Sequence, residues 1–273
     1  MLNQRFGELA LKPETPFVGA GAGGGSFVRN SEYYSLDAQA KEGRLLESLQ
    51  SLLIEAERVR RHGFLAAELE RAKTNTLRGY ERAYQERDKT PSDAFVDEYI
   101  DHFLQGEAIP GIAFEYAAMQ RLLPTVTLAE VNALGAGRVG EANRVVTVSL
   151  PEKDGLTVPT DADIRALFGT VSAATITPWV ETVTAGALVA TAPTAGRVVS
   201  ETKTESLNLT KWTLSNGITV FVKPTDFTAD QIVMTGWSPG GASLVADKDL
   251  FKTSLATTVI ERGGVGEYSI VDL

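Results

Sequence analysis

The clearest pattern in the chain is a helical repeat of apolar residues between positions 40 and 62. Apolar side chains recur there at spacings of three and four, which places them on one face of an α-helix. The residues of this stripe are Leu45, Leu49, Leu52, Ala56 and Val59. Basic side chains in the last turn suit the negative end of the helix dipole, and Gly63 is a typical residue after a helix C-terminus. The pattern therefore predicts a helix over 40–62.

Further repeats of this kind predict additional helices before position 140. The stretch from Thr127 to Glu130 matches a capping box, in which a hydroxyl and a carboxylate satisfy the first free N–H groups of a helix. Pro91 and Pro124 separate the neighbouring helices, because proline cannot continue a helix. The predicted helices span 65–86, 92–105, 112–123 and a range that begins at Thr127.

Two segments of the same region have the composition of β-structure. Glycines alternate with small residues from position 17, and apolar side chains then recur at every second position up to 40. Residues 143–150 form an apolar run that ends at Pro151, which predicts a buried strand. An order of strand, helices and strand is typical of an α+β domain in which helices pack on a sheet.

The composition changes between positions 170 and 208, where Thr, Ala, Val, Gly and Pro dominate. Few charged residues occur there before Arg197. Such a composition indicates a long connector that lies partly on the surface. A short strand at 196–200 is the one regular element that we expect within it.

A new domain is predicted to begin after this connector. Asn216-Gly217 is a strong signal for a two-residue hairpin loop between β-rich runs. A further strand is predicted at 231–237, and a helix at 250–261 that ends at two glycines. These elements are too few to bury a core of their own. We therefore expect the chain to be a piece of a larger protein, with its last segment either poorly ordered or docked against a neighbour.

Bulk composition narrows the function classes. The chain has 273 residues, 43% of them hydrophobic, and a net charge of −9. The negative charge argues against a general nucleic-acid binder, which needs basic surface to neutralise phosphates. No apolar run approaches the roughly 18 to 20 residues that span a bilayer, and the first residues lack the layout of a signal peptide. The absence of cysteine excludes disulfides, thiol catalysis and thiolate metal sites.

The glycine run from Gly19 to Gly24 formally satisfies G-x-G-x-x-G. In a dinucleotide site that motif follows a strand and leads directly into a helix, whose N-terminal N–H groups face the pyrophosphate. Here Ser26, Phe27 and Val28 continue as strand. A glycine-rich strand that another backbone approaches closely is the better prediction, and a nucleotide-dependent enzyme remains the weaker alternative.

Candidate catalytic and metal-binding residues are scarce. His62 and His102 are the two histidines, and neither lies in H-x-x-E-H or H-E-x-x-H. Serines at 26, 92 and 243 have no histidine partner that the sequence makes visible. We expect structural roles for both histidines, and we assign no catalytic, cofactor-binding or metal-binding residue to this chain.

Several of these segments together resemble one family, the pitrilysin/insulinase zinc metallopeptidases in their long, two-half bacterial form. The resemblance covers almost the whole chain. The segments that carry it are ELERAKTNTLRGYERAYQERDKT (68–90), YIDHFLQGEAIPGIAFEY (99–116), LLPTVTLAEVN (122–132), WTLSNGITVFVKPTDF (212–227), SPGGASL (238–244) and GGVGEYS (263–269).

The resemblance implies four related domains in the parent protein, two in each half, that close around a peptide. It implies helices on a mostly antiparallel sheet, with residues 1–170 as the second, non-zinc domain, 171–208 as the linker between halves and 209–273 as the truncated beginning of the third. In this family the zinc motif belongs to the first domain, and the assisting Arg and Tyr belong to the fourth. No residue of this chain is therefore assigned to the metal or to catalysis.

The resemblance predicts that the chain is one part of a larger protein. The chain would be the central non-catalytic portion of a zinc-dependent endopeptidase, inactive alone, and would form chamber wall and hinge. Its expected partners are the remaining domains of the parent and the enclosed peptide, with self-association possible through the strands of 209–273. Zinc is expected only in the intact parent, and the resemblance favours a periplasmic or secreted protein. The alternative is a non-enzymatic assembly subunit related to the same family.

Overall fold

The computed structural model describes residues 1–28, 30–138, 140, 142–181, 187–189, 191–228, 231–266, 268 and 270. The backbone divides into two compact units, Met1–Thr182 and Val183–Leu273, and each is described by itself. None of the helices in the described ranges is long and apolar enough to cross a membrane.

The first unit combines one β-hairpin with a set of helices. The hairpin consists of β1 (Phe17–Val28) and β2 (Ser31–Ala40). The helices are α1 (Leu2–Ala10), α2 (Leu45–His62), α3 (Ala66–Gln85), α4 (Ala94–Gln105), α5 (Ile112–Leu122), α6 (Leu128–Gly137) and α7 (Asp161–Ala173). This arrangement is the predicted α+β class, and the predicted helices and the β-structure between positions 17 and 40 are confirmed.

Two helices were not predicted, and one begins later than expected. Helix α2 starts at Leu45 because Ala40 still belongs to β2, where it pairs with Phe17. Helix α7 has a recognisable start, since Thr160 and Asp163 form a capping box. Helix α1 packs against β1 and carries no comparable cap.

The main core lies between the hairpin and helices α1 and α2. Strands β1 and β2 are antiparallel, with Ala20 opposite Ala38 and Ala22 opposite Leu36. One face of this hairpin packs on apolar side chains of the two helices, and Phe6 and Phe17 meet edge to face with ring centroids 6.3 Å apart. The buried residues of this core are Leu2, Phe6, Phe17, Leu52 and Val59.

The other side of α2 buries a second, smaller core. Leu53 of α2 packs there with Val171 of α7 and with Ile176, which follows α7. Residues 172–181, which we call the strap, then run along the ends of α2 and α3. Arg61 donates to the carbonyl oxygens of Ser172 and Ala174, each at 2.7 Å. The beginning of the predicted connector is thus anchored on the first unit.

The strand predicted at 143–150 is wrong for this structure. Residues 144–150 have no regular secondary structure, and the side chain of Val145 is 87% exposed. A run with strand propensity becomes a strand only when a sheet edge accepts it. Within the described residues the only partner of β1 is β2, and the only partner of β2 is β1.

The second unit contains a three-stranded antiparallel sheet of β3 (Val198–Thr204), β4 (Leu209–Leu214) and β5 (Thr219–Val222), in that order. The hairpin predicted at Asn216-Gly217 is confirmed, with Gly217 at φ +86°. The short strand expected at 196–200 begins at Val198 and is longer than expected. It gives the hairpin a third strand from within the predicted connector.

Of two other expectations for this unit, one is wrong and one is confirmed in part. Residues 231–238 form no strand, and Ile232 and Trp237 are 91% and 86% exposed. The helix expected over 250–261 is divided at Leu255 into α8 (Leu250–Ser254) and α9 (Ala256–Arg262). No described residue of this unit is buried, so these segments lack a core that would fix them in regular structure.

Candidate functional site: the open edge of the β1–β2 hairpin

The outer edge of β1 presents backbone hydrogen-bonding groups. The Ala22 N–H donates to Oδ1 of Asn3 at 2.6 Å, and Nδ2 of Asn3 donates to the Ala22 carbonyl at 3.0 Å. Both polar groups of Ala22 therefore point away from β2. In an antiparallel pair the direction alternates from residue to residue, so the N–H and C=O groups of Ala20, Gly24 and Ser26 point to the same outer edge. No strand of the described chain pairs with them.

The glycines of β1 have no side chains that would keep β2 at a distance. At Gly24 an added Cβ would lie 2.8 Å from the Tyr33 carbonyl oxygen, a distance that real Cβ atoms do not adopt, and 3.1 Å from the Tyr34 ring. At Gly21 it would lie 3.2 Å from the Asp37 carboxylate. The glycine run thus allows close approach between the two strands, which agrees with the strand interpretation of the run and not with a phosphate-binding turn.

A buried ion pair fixes the helix that carries Asn3. Arg5 and Glu68 are 1% and 2% exposed, and Nε and Nη2 of Arg5 donate to the two carboxylate oxygens of Glu68, each at 2.7 Å. The Arg5 guanidinium also lies 4.9 Å from the Phe64 ring centroid and 5.1 Å from that of Trp179. Helix α1 is thereby joined to the start of α3 and to the strap, so the position of Asn3 beside β1 is well defined.

Further charged groups surround this pair. Arg71 forms a two-bond ion pair with Glu181 at the end of the strap. The hydrogen bond from Arg71 lowers the pKa of Glu181 below its ordinary value. Burial, followed by the nearby charge of Glu181, raises the pKa of Glu8. Burial also raises the pKa of Glu55, which is 3% exposed, against the opposing effect of Arg58.

Both histidines and two of the three serines considered from sequence lie within hydrogen-bond distance of backbone carbonyls. Nε2 of His62 is 2.7 Å from the carbonyl oxygen of Ile176, and Nδ1 of His102 is 2.6 Å from that of Glu107. Ser26 and Ser243 also use their hydroxyls to bond nearby backbone carbonyls. Among the described residues no three His, Asp or Glu side chains converge as a metal site requires. The assignment of no catalytic or metal residue stays a prediction.

Sequence comparison finds a curated relative, while no family model matches the chain. The chain is 32% identical over 216 residues to a zinc protease PQQL-like protein from Arabidopsis thaliana. The match covers 77% of this chain and 22% of the relative. The chain thus spans about a fifth of the length of the curated relative it matches.

Structure comparison finds the same kind of protein. The periplasmic protease PqqL from Escherichia coli is similar with a TM-score of 0.52 and 19% identity, over 98% of this chain and 30% of that one. A predicted insulinase family protease from Yersinia pestis has a TM-score of 0.50 and 14% identity, over 63% of this chain and 37% of that one. At these identities the structural likeness supports the fold.

Helices on antiparallel β-structure, together with these likenesses, define the fold class as that of insulinase-type protease halves. The sequence match adds that the chain is similar to a segment of a zinc protease, and together these likenesses support a fragment of the pitrilysin/insulinase family. The resemblance predicted from sequence is confirmed. Asn3 and Arg5 were not predicted from sequence, because nothing near them in the chain indicates partners 19 and 63 positions away.

Proposed function

We propose that this chain is the central, non-catalytic portion of a zinc-dependent endopeptidase and that it supplies peptide-contacting wall and hinge to the intact protein. In this proposal residues 1–170 are the second domain, 171–208 the linker between halves and 209–273 the beginning of the third domain. The remaining domains of the parent and a peptide substrate are its partners. The Arabidopsis relative supports this assignment, because it is named a zinc protease. PqqL supports a periplasmic or secreted parent, because it is a periplasmic protease.

The observation that carries the proposal is the open outer edge of β1. Exposed strand edges bind extended peptides by adding a strand, with main-chain hydrogen bonds as the source of affinity. Gly24 and Ser26 are exposed and direct their backbone groups to this edge. A wall that presents such an edge can align a peptide without contributing any catalytic group.

Zinc belongs to the parent in this proposal. A zinc site needs three or four converging ligands, and among the described residues no three His, Asp or Glu side chains converge in that way. The proposal assigns no chemical step to this chain. Stoichiometric zinc binding by the purified chain, with chelator-sensitive cleavage of an unstructured peptide, would contradict the proposal.

Peptide contact can be tested with a matched pair of substitutions. Ser26 on β1 lies directly opposite Glu32 on β2, and both direct their N–H groups outward. Proline removes an outward N–H and is tolerated at strand edges. We expect Ser26→Pro to weaken binding of a capped peptide of alternating Thr and Val by about tenfold, because one hydrogen bond is lost. Glu32→Pro should leave the affinity, measured by calorimetry, unchanged. Equal effects of the two substitutions on peptide affinity, or no peptide binding by the unsubstituted chain, would refute peptide contact at β1.

A non-enzymatic assembly subunit is the second candidate. The observation that favours it is the second unit, in which large apolar side chains such as Met234 and Trp237 are 90% and 86% exposed. Exposed apolar surface of this kind marks interaction sites. Sedimentation of the purified chain over a range of concentrations tests self-association through 209–273. An intact H-x-x-E-H motif in the parent gene would favour the enzyme, and a degraded one the subunit.

A further inference from the structure

We propose that Asn3 blocks one end of the peptide-binding edge and so determines how far along β1 a bound segment can pair. The inference rests on the proposed peptide contact at β1. It assigns a specificity-determining role to a residue of α1, which is outside the strand that would bind the peptide.

The side-chain amide of Asn3 occupies a strand position. It accepts from the Ala22 N–H and donates to the Ala22 carbonyl, at 2.6 Å and 3.0 Å. These are the two bonds that one residue of an added antiparallel strand would make. Neighbouring strands lie only about 4.8 Å apart, so the amide of Asn3 stands where a peptide group of the added strand would stand. A bound segment and the Asn3 amide exclude each other at Ala22.

The backbone of α1 holds Asn3 beside β1, while the Asn3 side chain itself is exposed. Its neighbours Leu2 and Phe6 are buried in the main core, at 8% and 0% exposure, and Arg5 is held by Glu68. The backbone of α1 is thus fixed beside β1. A segment added to the open edge pairs with Ser26 and Gly24 and ends there, because the next outward-facing residue already has its partner. The footprint is short, and its end is set by α1.

The end of the footprint can be located by amide hydrogen exchange. The probe is the capped Thr/Val peptide, added to the full 273-residue chain. In the unsubstituted chain we expect the peptide to slow amide exchange at Gly24 and Ser26 and to leave exchange at Ala20 and Ala22 unchanged. In Asn3→Ala the peptide should also slow exchange at Ala22, and its affinity should rise by about fivefold or more, because one further pair of bonds can form.

Gln4→Ala is the matched control. Gln4 is the neighbouring amide on α1, and its amide bonds Glu8 of the same helix. We expect this change to leave the footprint and affinity as they are. Peptide protection at Gly24 and Ser26 without any gain at Ala22 in Asn3→Ala would overturn the role of Asn3 alone. Protection nowhere along β1 would overturn the peptide contact and, with it, this inference.

Discussion

The ion pair between Arg5 and Glu68 is expected to be the most sensitive charged contact of the first unit. The change with the clearest consequence is Glu68→Ala. The carboxylate accepts three hydrogen bonds of 2.7 Å, from Nε and Nη2 of Arg5 and from the Leu65 N–H. After its removal the buried guanidinium keeps a hydrogen bond of 3.1 Å to the carbonyl oxygen of Gly63.

The expected cost follows from this loss of partners. Removing one member of a buried ion pair destabilises proteins by about 3–5 kcal/mol, because the remaining charge is left uncompensated. The rings of Phe64 and Trp179 flank the guanidinium and offset part of that cost. We therefore expect the lower half of this range, about 3–4 kcal/mol. Glu68→Gln keeps an acceptor oxygen and should cost less.

Urea unfolding followed by circular dichroism at a helix wavelength measures this free energy. Glu70→Ala is the matched control, because Glu70 lies on the same helix and its carboxylate stays largely exposed in its 3.2 Å pair with Lys73. Exposed pairs contribute about 0–1 kcal/mol. Replacing Arg5 and Glu68 together by Met and Leu should restore much of the lost stability. If Glu68→Ala costs no more than Glu70→Ala, the argument from burial is refuted.

Two further expectations concern the strap and a buried acid. Arg61→Ala removes two 2.7 Å hydrogen bonds to strap carbonyls and should speed amide exchange of residues 174–177. The control is Arg78→Ala, at an exposed position of α3, which should leave that exchange unchanged. Equal exchange in both variants would argue against anchoring of the strap by Arg61. Burial raises the folded-state pKa of Glu55 above 4.5, so the protonated form is favoured on folding and stability should fall as pH rises through that raised pKa. Glu55→Gln should then stabilise the protein at neutral pH and show no gain well below pH 4.5 in urea unfolding, and a gain that grows on acidification would reverse the assignment.

Local signals in the sequence identified most of the helices. The stripe of α2 and the capping box at Thr127 depend on residues within four positions of each other, so the sequence expresses them directly. The same holds for the hairpin at Asn216-Gly217, where a loop residue needs positive φ. Helix α7 has an equally local signal at Thr160, although it was not predicted.

Residues 143–150 and 231–237 show where local pattern is insufficient. Both have strand composition, yet neither pairs with a strand of the described chain. Strand propensity depends on a partner and on burial of one face, and these are properties of the assembled fold. The domain boundaries at 170 and 208 remain predictions for the same reason, although the strap and β3 show that both ends of the connector contain anchored or paired residues.

The sequence by itself indicated the family resemblance, the helical stripes, the turn residues and the β-structure of the glycine run. Tertiary structure alone decided that Arg5 meets Glu68 and that Asn3 meets Ala22, over separations of 63 and 19 residues. The physical reason is the separation, along the chain, of the residues that interact. Periodicity and caps follow from neighbours along the chain, whereas the direction of a backbone N–H at a strand edge follows from which strand or helix lies beside it. The open edge of β1 could therefore be found only once α1, β1 and β2 were placed together.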